Sequence, residues 1–593
     1  KPVDWEKIVE KKGASGWFGK LNAEYYTKRL WLQIGNELHI YTDGATEPII
    51  YKTSDFSDNP AYQNMYTWDV IKSDMVSGDL GKLSLSAGEG LTTPSVTTIM
   101  QDNPDFSWAS HEDYEVGILG TVADTAYADV TKDNSNYKFD KDTLISIDNK
   151  KLGNLYTNVL AGINAYDGND ININAGTNAL KLQVDNTTSN PTGIYAGNGK
   201  NVTVNAGKLN IITKGMEGGN SLTNAIWLDA AKDKSSEITI NAPVNISMVG
   251  GYGGNAIGIQ KTDRWGEKST EASVGSNITI TGDVNIKGSN DAIWGIPVNK
   301  ENVFSRFNSS GILTGVDKSS VTINGDIDFT VYGNGVTALA KDSIVTINGG
   351  GRIIVPTGMN YGYYALAAYE GTVNMNTGVD GITPGQDTVQ LNGDLFALNT
   401  GNINVALTTA DSSLNGIIDN GGTVNLWLQN GAEWNNIANN HRYKQDNEDV
   451  GNNEQSRVTN FYGGSSAETA GVIFQKADSH DLTIDNYTGF SKVIYNHDAS
   501  DPTKILGGDI KIGNAATGSQ ITLRTDYDSN MTDATVQQNV LNSLANKLYY
   551  NAYINNQKNL NGIVEIAEGL TASSAAKYTG NIIYDKTTGQ GAL

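Results

Sequence analysis

The side chains of this chain that could carry out acid–base or nucleophilic chemistry are its carboxylates, its serines and its five histidines. Polysaccharide hydrolysis needs two carboxylates held together as acid and base, but the sequence contains no Asp-Asp pair and no Asn-Thr-Asp triplet. The histidines are not paired in the sequence, and we interpret each of them as a surface or turn residue; they are His39, His111, His441, His480 and His497.

Other chemical signatures are also missing from the sequence. It has no Gly-Asp-Ser-Gly or Gly-Asp-Ser-Leu block, no nucleophile elbow, no phosphate-binding loop and no glycine-rich calcium repeat. There is no cysteine, which excludes a disulfide or a thiolate metal site. The sequence therefore predicts no catalytic residue, no metal site and no cofactor. With 65 acidic residues, a carboxylate pair of an unfamiliar kind stays open.

Two groups of aromatic residues have the character of binding residues. Arg264 and Trp265 lie in a polar insertion, and an exposed tryptophan beside an arginine suits contact with a sugar or a protein. The alternative is that Trp265 packs back on the rest of the chain. Tyr361, Tyr363, Tyr364 and Tyr369 form a tyrosine-rich patch, and the first three are the candidate binding residues. Strand alternation sends Tyr363 and Tyr364 to opposite sides, so we expect one or more of these rings to be exposed.

These residues lie in or beside a sequence repeat. Each copy reads as a strand, a tight turn, a second strand, a glycine-rich bend and a third short apolar strand. One copy cannot bury its own apolar side, so the copies must stack. The sequence therefore predicts an all-β fold, a right-handed, three-faced parallel β-helix (β-solenoid). The clearest copies are Asn201–Leu228, Glu237–Ile259, Asn277–Ile296, Ser320–Leu339 and Ile344–Leu366.

The spacing within each copy predicts which side chains face outward. Apolar residues such as Val202 and Val204 alternate, which places them inside. The intervening threonines should then face outward in register; they are Thr203, Thr239, Thr279 and Thr322. Asn-Gly and Gly-Asp pairs between strands suit sharp corners, because Asn and Gly adopt positive φ at little cost.

Composition changes along the chain predict three parts. Residues 1–150 carry five of the ten tryptophans and read as an irregular N-terminal domain or cap, including a hairpin across Gly35-Asn36 and a possible ligand-binding tip. Residues 151–480 form the β-helix, with protruding loops at Lys261–Gly275, Pro297–Lys318 and Asn439–Arg457. Residues 481–593 form a C-terminal cap with one helix over Asp533–Tyr550, capped by Asp533.

The charge and hydropathy of the chain narrow its partners and location. A net charge of −23 disfavours nucleic acid and anionic membranes. No apolar run approaches the ~20 residues of a membrane helix. The lack of cysteine suits a protein that crosses an oxidising compartment unfolded, so we expect export, with targeting and anchoring segments trimmed from this chain.

The repeats, the acidity, the missing cysteines and the segments Gly421–Asn436 and Ala567–Gly591 together resemble passenger domains of monomeric, type V secreted autotransporters, of which the pertactin-like and self-associating adhesins are familiar types. The resemblance covers about 150–593. It implies secretion through the protein's own C-terminal outer-membrane β-barrel, which this chain does not include, and display on or release from the surface of a diderm bacterium. It also implies that 481–593 nucleates folding, as an autochaperone-like module.

The function expected from this resemblance is adhesion, with roles in aggregation, biofilm formation and virulence. The partners would be glycans or proteins of a host cell, the matrix or other bacteria, or a second copy of the chain. Two alternatives stay open. One is a polysaccharide-degrading β-helix enzyme, and the other is a structural surface protein with no specific ligand.

Overall fold

The computed structural model describes residues 29–34, 37–42, 49–52, 122–123, 135–148, 159–166, 169–185, 190–215, 223–230, 233–249, 254–260, 273–288, 310–331, 333–355, 364–439, 444–445, 448–449, 454–527, 533–567 and 575–593. These residues form an all-β fold with 45 strands and one α-helix. The chain divides into two compact units, the first holding the described strands as far as Thr330 and the second those from Asn334 onward.

Three strands near the N-terminus form an antiparallel sheet: β1 (Arg29–Ile34), β2 (Glu37–Thr42) and β3 (Ile49–Lys52). Ile34 lies opposite Glu37, so the chain reverses between β1 and β2. This confirms the hairpin that alternating leucines and isoleucines predict there. Strand β2 pairs with β3 in the same antiparallel manner.

In the first unit, each turn of the chain (a rung) contributes one strand to each of three parallel ladders, which we call its first, second and third faces. The first face holds β7 (Val159–Asn164), β10 (Asn190–Gly197), β13 (Asn224–Asp229), β16 (Asn255–Gln260) and β19 (Ser310–Thr314), with β4 (Val122–Ala123) antiparallel to β7. The second holds β5 (Ser135–Lys138), β8 (Ile171–Asn174), β11 (Val202–Asn205), β14 (Glu237–Asn241), β17 (Asn277–Thr281) and β20 (Ser320–Asn324). The third holds β6 (Thr143–Asp148), β9 (Ala179–Asp185), β12 (Lys208–Lys214), β15 (Val244–Val249), β18 (Val284–Gly288) and β21 (Ile327–Thr330).

The core of this unit consists of aliphatic columns that run from rung to rung. On the second face, Val204, Ile240, Ile280 and Ile323 are aligned in register and fully buried. Each such side chain contributes about 1.5–3 kcal/mol by leaving water. Because every rung places the same residue type at the same position, no rung can bury its apolar side without its neighbours. The three-faced parallel β-helix is thereby confirmed; its right-handed sense stays a prediction.

Glycines at the corners allow successive rungs to approach closely. Gly282 has φ 151°, and a Cβ there would lie 2.4 Å from the carbonyl oxygen of Ala242 in the preceding rung. A Cβ on Gly325 would lie 2.3 Å from the carbonyl oxygen of Gly282. Both corners carry the Gly-Asp pairs that the sequence marks as turns, and both exclude any larger residue.

The second unit repeats the three-ladder arrangement. Its first face holds β22 (Asn334–Ala338), β25 (Tyr364–Ala368) and the first parts of β28 (Asp394–Leu407) and β30 (Ile418–Leu428). Its second face holds β23 (Ile344–Ile347), β26 (Thr372–Met375), the second parts of β28 and β30, β34 (Ser456–Tyr462), β36 (Leu482–Thr488), β39 (Ile510–Ala515) and β41 (Leu548–Tyr550). Its third face holds β24 (Gly351–Ile354), β27 (Val389–Asn392), β29 (Ser413–Asn415), β31 (Glu433–Asn435), β35 (Gly471–Gln475), β37 (Phe490–His497), β40 (Ser519–Thr525) and β42 (Leu560–Ala567).

Short elements complete the second unit. Strand β43 (Ala576–Asn581) pairs antiparallel with β42, and β38 (Ile505–Leu506) pairs antiparallel with β37. Two small antiparallel pairs are β32 (Lys444–Gln445) with β33 (Glu448–Asp449) and β44 (Ile583–Tyr584) with β45 (Gly591–Ala592). Two 3₁₀ turns cover Ala467–Thr469 and Asn551–Asn555.

Helix α1 (Ala534–Ala545) packs against the last rung. Its N-terminus is capped as predicted, because the Asp533 carboxylate accepts hydrogen bonds from the backbone N–H groups of Thr535 and Val536. Its buried side includes Val540 and Leu544. The helix ends at Ala545, before the predicted Tyr550. The reason is that Leu548, expected on the helix, instead pairs in β41 with Ile510 of β39.

Two expected boundaries are also wrong. The β-helix begins before residue 150, because β5 and β6 pair in parallel with β8 and β9. The expected protrusion Pro297–Lys318 includes β19, which is fully buried and places Ile312 beside Ile257 in the core. Residues 261–272 and 297–309 of the expected protrusions lie outside the described residues, as do parts of Asn439–Arg457.

Candidate binding surfaces

The second face of the first unit carries an outward column of small neutral side chains, which we call the threonine column. Its members lie in register over six successive rungs: Asn136, Asn172, Thr203, Thr239, Thr279 and Thr322. They alternate with the buried valines and isoleucines of the same strands, as the sequence predicts. Asn136 is exposed and the other five are half-buried. Neighbouring members are about 4.8 Å apart, the spacing of hydrogen-bonded strands.

The hydroxyl groups of the threonine column are available for external contacts. Among the described residues, no hydrogen bond engages the hydroxyls of Thr203, Thr239, Thr279 or Thr322. The next outward position is also mostly neutral: Asn174, Asn205, Asn241, Thr281 and Asn324 lie in register along the corner. In a chain with net charge −23, this flat surface therefore offers hydrogen bonds without strong electrostatic repulsion.

The second face of the second unit carries a different structure, which we call the asparagine ladder: Asn374, Asn404, Asn425, Asn460 and Asn486. From Asn404 onward, each Nδ2 donates to the Oδ1 of the asparagine in the preceding rung, at 2.8, 2.7, 2.8 and 3.1 Å in chain order. Asn374 and Asn404 are buried, whereas Asn486 is exposed. Because its amides bond to one another, this ladder holds rungs together, unlike the threonine column.

An aromatic pair lies beside the ladder on the same face. Trp427 and Tyr462 are aligned in register, with ring centroids 4.7 Å apart and planes inclined by 19°. Trp427 is nearly buried, at 7% exposure, and Tyr462 is half-buried. The pair stabilises the contact between two rungs in the same way as other stacked rings.

The third face of the second unit carries a cavity of about 390 Å³, which we call the cationic groove. Its floor is the outer side of β37, β40 and β42. Lys492, Thr522 and Ile563 form one row across these strands, and Arg524 and Glu565 lie in the next row. One side is formed by Ala467 and Ala470, and the other by Thr579, Gly580 and Asn581 of β43; Phe490, Ser491 and Gln520 complete the lining.

The charges of the groove are only partly matched. Arg524 is 4% exposed and donates from Nε to Glu565 Oε1 at 2.9 Å and from Nη2 to the same oxygen. Lys492 Nζ lies 3.8 Å from Glu565 Oε1, beyond hydrogen-bond distance. Burial lowers the pKa of the Lys492 ammonium, the Arg524 guanidinium lowers it further, and Glu565 opposes both effects. Among the described residues, Lys492 therefore has no carboxylate oxygen within hydrogen-bond distance.

Two carboxylates of adjacent rungs lie together at the start of β36 and β39. Asp481 Oδ1 accepts the backbone N–H of Asp509 at 2.8 Å, and its Oδ2 lies 3.1 Å from Lys511 Nζ. Burial raises the pKa of the Asp509 carboxyl, the Asp481 charge raises it further, and Lys547 and Lys511 act in the opposite direction. One ion-paired carboxylate beside one that retains its proton more readily is the arrangement an acid–base pair needs.

The residues predicted to bind ligand have different outcomes. Tyr364 is 2% exposed, and its ring stacks on Phe396 with centroids 4.7 Å apart. Its inclusion among the binding residues is therefore wrong, because every residue of β25 is buried on both sides of the strand. Tyr369 is likewise buried, at 1% exposure. Arg264, Trp265, Tyr361 and Tyr363 lie outside the described residues.

Sequence reasoning missed the cationic groove. Lys492, Arg524 and Glu565 are separated by 32 and 41 residues, and each is adjacent in its strand to a buried aliphatic residue. The alternation of buried and outward residues could have predicted that these charged side chains lie on the outer side of the β-helix, because a long charged side chain beside a buried aliphatic residue of a regular strand faces outward. The sequence does not show that three such strands are consecutive in one ladder.

Within the described part of the chain, no group of three His, Cys, Asp or Glu residues could hold a metal ion. No helix in that part is long and apolar enough to span a membrane. No protein-family model, no curated protein and no solved structure matches the chain.

Proposed function

We propose that this protein is an adhesin, the passenger of a surface autotransporter, and that the threonine column is the surface through which copies of it associate. The single observation that supports this mode is the column itself. It offers an uncharged hydrogen-bonding group at every rung, an amide in the first two and a threonine hydroxyl in the next four, and the threonine hydroxyls have no partner among the described residues. A second copy carries the same spacing and can therefore match it over many rungs at once.

The expected strength of one such contact follows from the number of rungs. Six rungs with one hydrogen bond each contribute about 3–9 kcal/mol, at 0.5–1.5 kcal/mol per bond. Association costs about 4–15 kcal/mol in lost translational and rotational freedom, and the ordering of side chains adds to this cost. A single pair of copies therefore binds weakly. Many copies on two facing cell surfaces raise the effective concentration and make the attachment stable.

Two glutamate substitutions on the threonine column, compared with two on another face, test this mode of self-association. Thr203→Glu with Thr279→Glu places two carboxylates two rungs apart on the threonine column, and these repel the same pair on a second copy. The matched control is Ser247→Glu with Thr330→Glu. These residues also lie two rungs apart, half-buried on the outer side of the third face. Both variants change the net charge by the same amount.

We expect cells or beads that display the wild-type chain to aggregate, and the threonine-column variant to abolish aggregation while the control retains it. Equal aggregation by both variants would exclude the threonine column as the contact. A wild-type chain that does not aggregate but adheres to host cells, matrix or a glycan array would assign the attachment to another partner. Blank results in all of these assays would favour a structural surface protein without a specific ligand.

A polysaccharide-degrading enzyme is the second candidate, and the Asp481–Asp509 pair is the observation that favours it. Inverting and retaining glycosidases both use two carboxylates with different proton affinities. Reducing-sugar release from a panel of polysaccharides measures this activity directly. Turnover that is lost in both Asp481→Asn and Asp509→Asn would establish the enzyme and displace the adhesin proposal.

A further inference from the structure

We propose that the cationic groove on the third face binds a carboxylated saccharide, a sugar acid of the uronic type. The groove is a separate site from the threonine column. Its volume, about 390 Å³, lies in the lower part of the range for small-ligand sites. This inference does not depend on self-association, and each of the two can fail without the other.

The charge of the groove selects an anion. Among the described residues, the charged members of its lining are Lys492, Arg524 and Glu565. Arg524 already donates twice to Glu565 and is fixed by it. Among the described residues, the carboxylate oxygen nearest to the Lys492 ammonium is Glu565 Oε1 at 3.8 Å, so an incoming carboxylate can contact this ammonium more closely than Glu565 does. A carboxylate monoanion can accept a charge-assisted hydrogen bond from this ammonium.

The neutral lining residues suit a sugar ring. Gln520, Thr522, Thr579 and Asn581 offer both donors and acceptors, which hydroxyl groups need. Phe490 and Ile563 add apolar surface for the C–H side of a ring. The arrangement is less suited to a peptide strand, because the floor strands β37, β40 and β42 use their backbone groups in their own ladder and β43 covers the edge of β42.

The buried core beneath the groove holds its lining residues in fixed positions. Val493, Leu523 and Val564 lie directly beneath the groove, are fully buried, and align in one column of the core. This buried column fixes the positions of the neighbouring residues that face the groove. The Arg524–Glu565 pair is almost inaccessible to water. A ligand therefore meets side chains that lose little freedom on binding, which favours affinity for a small molecule.

The test measures binding of galacturonate and digalacturonate, with galactose as the neutral probe, by calorimetry and ligand-observed NMR on the full chain. We expect the two acids to bind and galactose to bind at least tenfold more weakly. Lys492→Gln should weaken the acids by about tenfold to a hundredfold, because it removes one charge-assisted contact. The matched control is Lys511→Gln, which removes one positive charge at the Asp481 pair, outside the groove lining.

A second variant separates a loss of binding from a loss of folding. Thr522→Glu adds a carboxylate to the row that holds Lys492 and should abolish acid binding, while circular dichroism and thermal midpoint report on the fold. Any of four results would overturn the proposal: no binding of either acid at 10 mM concentration, equal binding of galactose, equal effects of Lys492→Gln and Lys511→Gln, or tighter Lys492-dependent binding of an acidic peptide than of digalacturonate.

Discussion

The asparagine ladder gives a prediction that depends on the direction of its hydrogen bonds. Asn404 donates from Nδ2 to Asn374 Oδ1 at 2.8 Å and accepts from Asn425 Nδ2 at 2.7 Å. Asn404→Asp keeps the shape and the acceptor but removes the donor. It also places a carboxylate at a site that is 4% exposed. The carboxylate faces an amide oxygen on one side, so its burial is compensated only in part, and we expect a cost of about 3–5 kcal/mol.

Hydrogen exchange of the backbone amides in β28 and β30 measures this cost locally, which suits a repeat fold whose rungs can open separately. At 1.4 kcal/mol per factor of ten, exchange should accelerate by about a hundredfold to several thousandfold at pH 7. Burial raises the folded-state pKa of the introduced carboxyl above its unfolded value. The carboxylate is therefore most destabilising above the folded pKa, and the penalty shrinks as pH falls through it, when the protonated group can donate to Asn374.

The matched control is Asn486→Asp, the same change at the exposed end of the ladder. Asn486 donates to Asn460 Oδ1 at 3.1 Å and to the Thr459 carbonyl at 3.3 Å, and water can solvate its replacement. We expect a cost below about 1.5 kcal/mol, the value of a single net hydrogen bond, and little pH dependence. If the two variants exchange within threefold of each other at pH 7, the ladder does not stabilise the stack as described.

Three further predictions concern corners, caps and charge. Gly282→Ala should lower the thermal midpoint much more than Gly176→Ala: both glycines have positive φ, but only the first lacks space for a Cβ. Equal shifts would show that backbone conformation alone requires the corner glycine. Asp533→Ala should cost about 1 kcal/mol by removing the cap of α1, measured by urea denaturation, and an unchanged midpoint would contradict the cap. Asp509→Asn should raise the thermal midpoint at pH 7, because the folded-state pKa of Asp509 is raised and its charged form is disfavoured. The gain in thermal midpoint should disappear below the unfolded-state pKa of about 3.9, and a gain that persists at pH 3 would refute its electrostatic origin. Asp481→Asn should instead lower the thermal midpoint at pH 7, because it breaks the ion pair with Lys511.

Local patterns in the sequence predict most of the fold. Alternation in segments such as Val202–Asn205 predicts which side chains face inward, and the structure aligns those side chains rung upon rung. The outward register of Thr203, Thr239, Thr279 and Thr322 is confirmed for the same reason: a period of two leaves no other side for them. The N-terminus of α1 is confirmed because a cap is a local interaction.

Errors arose where a residue has a partner distant in sequence. Leu548 fits a helical spacing of four, but pairing with β39 gives it a place in the last rung. Tyr364 alternates as a surface strand residue would, yet β25 is buried on both sides. Local periodicity carries no information about what covers the outside of a strand. For that reason neither the buried tyrosine nor the buried strand β19 was expected.

The sequence by itself determined the repeating unit, the inward and outward sides of its strands, the corner glycines and the absence of cysteine chemistry, because each depends on residue type and short-range spacing. Only the tertiary structure decided which distant residues share a surface. Stacking places Lys492, Arg524 and Glu565 in one groove, and the five asparagines of the ladder in one hydrogen-bonded line. The physical reason is that rung length varies along the chain, so the neighbouring residues of this groove and this ladder are separated by 21 to 41 positions.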